Sequence, residues 1–153
     1  MKTIRLLPLE LRRLLQSRPT WLILLLTVAS PVLGLTLYRP ASADTMLSLY
    51  LANPSIAGGA AGGILFGLLT IYELDRVGRS RADALMDAAV SPLTMALVRL
   101  LALLATAVMT VTLTMLVWLP ISMRLIGSVF GGVDYALAYL LLMGLALPLS
   151  ILA

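Results

Sequence analysis

Apolar runs separated by short charged stretches organise this chain. Between consecutive ionisable residues lie charge-free windows at 19–38, 45–72, 100–123 and 135–153. A helix that crosses a bilayer needs about 20 mostly apolar residues. The pattern therefore predicts an all-α membrane protein, a polytopic helical bundle with spans at about 20–38, 55–72, 98–120 and 135–153. The second window exceeds one crossing. Pro54 is read as its boundary, with 45–53 as a short outer segment. Trp21, Tyr38, Tyr72, Trp118 and Tyr135 fall near span ends, where an interfacial aromatic belt belongs.

Two further stretches carry a helical period without being long enough to cross. In the tail, Ile4, Leu7, Leu11, Leu14 and Leu15 share one face, with Lys2, Arg5, Arg12, Arg13 and Gln16 opposite. This predicts a basic amphipathic helix lying in the headgroup layer over residues 1–18. Proline is tolerated in a first helical turn, so Pro8 suggests a start near Leu7. The loop at 73–97 holds the second stretch. Ala82, Leu85, Met86, Ala89 and Val90 recur at i, i+3, i+4, i+7 and i+8, one apolar stripe on a short helix. Ser80 stands where it can cap that helix, with Asp83 in capping-box spacing. Ser91 and Pro92 then suit the N-cap and first position of the next helix. A helix this short is not stable alone in water, so its stripe needs a surface to dock on.

The basic residues orient the chain. Lys2, Arg5, Arg12, Arg13 and Arg18 lie in the tail, and Arg76, Arg79, Arg81 and Arg99 in the 73–97 loop. The other two loops hold only Arg39 and Arg124. By the positive-inside rule the N-terminus and the 73–97 loop face the cytoplasm, in a multi-pass protein of the cell membrane. Ala41-Ser42-Ala43 resembles a signal-peptidase site. The apolar run before it exceeds a signal core of about 7–15 residues, so the first span is expected to be retained.

Composition narrows the chemistry. Of 153 residues 61% are hydrophobic and 12% charged, against about 45–50% and 25% in soluble domains. The net charge of +4 follows from arginines placed for a membrane, and nucleic acid is not expected as a partner. With no cysteine and no histidine, thiolate nucleophiles, the commonest metal ligand and the usual general base are missing. Lys2 is the only lysine, which excludes a P-loop. Catalytic, cofactor-binding and metal-ligating residues are therefore expected to be absent, and no ATP hydrolysis by this chain.

Glu73 at a span end, Arg79-Ser80, Leu85, Ser91-Pro92 and Arg99 together resemble the ABC-2 type permeases of ATP-binding cassette transporters. That family reads E-x-x-R-x-x-G-T-x-x-x-L-L-x-x-P-[LV]-x-R at this place. Glu10-Leu11-Arg12-Arg13-Leu14-Leu15 is similar to its opening. The resemblance covers the tail and residues from about 63 to 104. Arg81-Ala82 replaces the usual Gly-Thr, and Met86 the second leucine. The resemblance implies that Glu73, Arg79, Ser80, Ala82, Leu85, Met86, Ala89 and Val90 belong to a coupling helix docking on a separate cytosolic ABC ATPase. ATP and Mg would sit on that partner. It also implies a dimer with a second permease copy or paralogue, an exporter's activity, and four spans that are the front part of six.

Within the second span, Gly58, Gly59, Gly62, Gly63 and Gly67 form small-xxx-small pairs, which let helix backbones approach closely. The bland expectation is an interface inside the subunit; the sharper one is a moving or dimeric contact. Pro31 and Gly34 are expected to kink span one, and Gly127, Gly131 and Gly132 to mark a bend before span four. Thr106, Thr110, Thr112 and Thr114 are expected to bond to their own helix. Glu73 reads as a structural charge paired with Arg76. No acid lies inside a span, whereas ion-coupled transporters usually keep one there. An ion-coupled transporter is thus the weaker alternative. A non-transporting assembly or signalling subunit that recruits a cytosolic partner is the stronger one.

Overall fold

The computed structural model describes residues 2–36, 46–79, 91–127 and 130–153. Among them the chain is almost entirely helical, without strands. Four helical segments among the described residues are long and apolar enough to cross a membrane: Arg18–Thr36, Tyr50–Arg76, Pro92–Ile126 and Gly132–Leu152. The large apolar side chains left on the outside, such as Leu25, Ile64, Leu68, Leu101 and Leu145, suit hydrocarbon rather than water. The chain is an all-α membrane protein.

Helix α1 (Lys2–Leu15) runs through Pro8 instead of starting near Leu7. The lost amide bond lies in the second turn, so only one turn of ladder stands before it. The face of α1 also differs from the expected one. Glu10 and Leu14 are the buried pair and α1 packs on the third span, while Arg13 is only partly exposed. A short turn leads to α2 (Arg18–Ala29), capped by Ser17, whose Oγ accepts from the Thr20 amide at 3.4 Å. Helix α2 stops at Ser30, and α3 (Pro31–Thr36) continues the span. The break lies at the expected proline. A Cβ on Gly34 would collide with the Asn53 carbonyl, so α3 can lie against the second span only because residue 34 is glycine.

Helix α4 (Met46–Arg79) is continuous over 34 residues, which corrects the boundary expected at Pro54. At 1.5 Å per residue it is about 51 Å long, well beyond a hydrocarbon core of about 30 Å. Pro54 lacks the amide that would serve the Tyr50 carbonyl, and the Ser55 Oγ donates to the next two carbonyls, Leu51 and Ala52, at 2.9 Å. Hydroxyls beside a proline help membrane helices tolerate it.

Helix α5 (Pro92–Ile126) starts as the sequence predicts. Ser91 is its N-cap, accepting from the Thr94 amide at 3.4 Å, and Pro92 opens the first turn. It ends at Gly127, whose φ of 70° is the left-handed conformation that favours glycine. The fourth span begins at Gly132, three residues earlier than expected. It comprises α6 (Gly132–Ala138), a π-helical turn (Tyr139–Met143) and α7 (Gly144–Leu152). In the π turn the Gly144 amide donates to the Tyr139 carbonyl, a one-residue widening that hydrophobic periodicity does not reveal.

Phe66, Leu69, Val98, Ala107, Tyr139, Met143 and Leu147 fill the centre of the bundle. Trp118 and Tyr135 belong to this core and not to an interfacial belt. The Trp118 indole donates to the Val28 carbonyl at 2.8 Å, and the Tyr135 hydroxyl to the Met115 carbonyl at 2.7 Å. A partner inside the bundle satisfies each polar tip, so neither needs the interface. The threonines behave as expected: Thr106, Thr110, Thr112 and Thr114 donate to the carbonyls of Ala102, Thr106, Val108 and Thr110 at 2.7–2.9 Å.

Candidate functional site

The glycines of α4 form a seam inside the subunit. A Cβ on Gly59 would stand 2.7 Å from the Leu142 carbonyl oxygen, and one on Gly62 would stand 2.9 Å from Leu147 and 3.0 Å from Thr27. Gly58 faces Pro31 and Met143, while Gly63 and Gly67 have ordinary clearance of 3.7–3.8 Å from carbonyls of the fourth span. The seam thus joins α4 to spans one and four.

At the end of the bundle where α1 lies, charge rather than size joins the elements. Glu10 and Glu73 are 6% and 5% exposed. Arg13 bridges them: its Nε stands 2.9 Å from Glu10 Oε2, and its Nη2 donates to Glu73 Oε2 at 3.2 Å. Arg76 donates from Nη1 to Glu73 Oε1 at 3.2 Å. Glu73 is therefore shared between its own helix and α1, 60 positions away in sequence. The Arg76 pairing matches expectation; the Arg13 pairing does not appear in any local pattern. A buried carboxylate costs several kcal/mol to desolvate, and two arginines offset that for Glu73.

A cavity of about 30 Å³ lies among Glu10, Arg13, Leu14, Glu73, Arg99 and Leu103. A water requires roughly 10–15 Å³ by this measure, so the space admits water but no organic substrate. Among the described residues no three His, Cys, Asp or Glu side chains gather in a metal-binding group. The cluster is an ion-paired joint between two helices. It holds α1 against α4 six residues before the end of that helix at Arg79, and α1 packs on α5 as well.

The segment that joins α4 to α5 carries most of the predicted docking residues. Of these, Glu73 is placed as described and Arg79 ends α4. Ser80, Ala82, Leu85, Met86, Ala89 and Val90 lie outside the described residues, as do Tyr38 and the Ala41-Ser42-Ala43 stretch. Sequence reasoning missed Glu10 and Arg13 as joint residues. An available signal was an acid one turn from Leu14 and three residues from an arginine, a pairing distance on a helix.

No protein-family model matches the chain, and neither the curated proteins nor the solved structures yield a match. The resemblance to ABC-2 permeases accordingly rests on the tail and the residues from about 63 to 104 alone.

Proposed function

We propose that this chain is a membrane-spanning permease subunit of an ATP-driven exporter of the ABC-2 type. In this reading the N-terminus and the 73–97 loop face the cytoplasm. The stripe Ala82, Leu85, Met86, Ala89 and Val90 docks on a separate ATPase that carries ATP and Mg. Two permease chains, identical or paralogous, form the dimer between which substrate moves. What supports the reading most is the buried joint Glu10–Arg13–Glu73–Arg76 at the root of the docking segment. A pull on residues 80–90 acts on α4 and α5 directly and, through that joint, on α1. The three helices would then move as one lever, and such a lever requires no catalytic residue of its own.

The test is affinity purification of the chain from its native membrane, followed by co-expression with any P-loop ATPase that co-purifies. The reading expects co-purification, stimulated ATP hydrolysis, and loss of both in the Leu85→Asp, Met86→Asp double variant with membrane insertion unchanged. Equal binding of the ATPase to the double variant would refute the docking surface.

A further inference from the structure

We propose that the groove between α2 and α5 is a binding site for one acyl chain of an anionic phospholipid. The groove encloses about 620 Å³, lined by Trp21, Leu25 and Val28 on α2 and by Met109, Leu113 and Leu116 on α5. That volume falls in the range of about 300–1,000 Å³ typical of small-molecule sites. Thr106, Thr110 and Thr112 also border it, but their hydroxyl hydrogens are committed to carbonyls of α5. Its wall is therefore effectively hydrocarbon, and no charged residue lines it. At one end the Trp21 indole donates to the Leu15 carbonyl at 2.6 Å; towards the other the Trp118 indole bonds the Val28 carbonyl at 2.8 Å. From Trp21 to Val28 the helix rises about 10 Å, so the groove leads from the first turn of the span into the hydrocarbon.

Charge at the mouth selects the headgroup. Leu15 of α1 lines the groove as well. Arg18 lies one helical turn before Trp21 and Arg12 one turn before Leu15, so each neighbours a groove residue. Both arginines are exposed. Trp21 is 52% exposed and near the start of its span, where tryptophan sits at headgroup level. Guanidinium groups next to that tryptophan would suit a lipid phosphate, which arginine can take in a bidentate manner. A second copy of the chain would have to bring acidic groups to the same mouth. This site is independent of any transport reading.

The chain has two tryptophans, so Trp118→Phe leaves Trp21 as the reporter. The variant is placed in equimolar phosphatidylcholine and phosphatidylglycerol vesicles, with brominated chains on one lipid or the other. The proposal expects Trp21 quenching to favour brominated phosphatidylglycerol with a relative affinity on the order of thirtyfold, the scale of two arginines near anionic lipid. Arg12→Gln with Arg18→Gln should bring the two lipids to parity. Native mass spectrometry of the unaltered chain from the same vesicles should retain phosphatidylglycerol over phosphatidylcholine, which covers the case that Trp118→Phe misfolds. Equal quenching by both lipids without the arginine changes would overturn the proposal. So would a dimer in which Trp21 is shielded from both, or a preference that survives loss of both arginines.

Discussion

Helix α4 is held in two places by opposite means. In its middle, the glycine seam brings it against the fourth span, with Gly59 facing the Leu142 carbonyl. Near its end, Glu73 is gripped by Arg13 and Arg76. In the seam the attraction is dispersion between close backbones, because lipid offers no hydrophobic drive for helix association. Dispersion is weak per atom and falls steeply with distance, so the seam tolerates little added volume. At the joint the attraction is Coulombic and strong where buried, but each carboxylate must be desolvated first. The contrast separates what fixes the distance between spans from what couples the tail to them. A seam of small residues sets position; a shared carboxylate sets linkage.

Breaking the linkage should have the largest effect. Glu73→Gln leaves Arg13 and Arg76 without their shared anion. We expect a loss of about 2–3 kcal/mol, less than the ~3–5 of a fully buried pair because both arginines are about a third exposed. Thermal unfolding in a single detergent would check it, and a double-mutant cycle with Arg13→Gln should give a coupling of about 0.5–3 kcal/mol. Overpacking the seam comes next: Gly59→Ala should cost about 1–3 kcal/mol, since the backbone it meets cannot rotate away. Trp118→Phe, which strands the Val28 carbonyl, should cost about 0.6–1.7 kcal/mol on the same readout. The smallest effect sharpens the comparison by its sign. Gly67→Ala has 3.8 Å of clearance, so helix propensity should win and raise stability by up to about 1 kcal/mol. If Gly59→Ala and Gly67→Ala behaved alike, close approach would not be what the seam glycines provide.

Most of the framework was legible in the sequence, since charge-free windows and caps are local signals. The start of α5 at Ser91 and Pro92 follows from capping chemistry, and the fate of the threonine hydroxyls from their place within a helix. Continuity through Pro54 was not legible. It depends on packing against spans one and four that a one-dimensional pattern does not contain. The π turn at Tyr139–Met143 escapes for the same reason. Burial of Trp118 and Tyr135 depends on acceptors at Val28 and Met115, which only the folded bundle supplies. The joint shows the limit most plainly. Glu73 with Arg76 is a neighbour relation along one helix, whereas Glu73 with Arg13 requires the tail to fold back onto the spans.

The central proposal is that residues 80–90 serve as a handle reached from the cytoplasm and gripped by a separate ATPase. Because the chain has no cysteine, Leu85→Cys provides a unique label site for a membrane-impermeant maleimide. The account predicts labelling in inverted vesicles but not in intact cells, with protection when the ATPase is bound. Labelling from outside intact cells, or no labelling from either side, would contradict it.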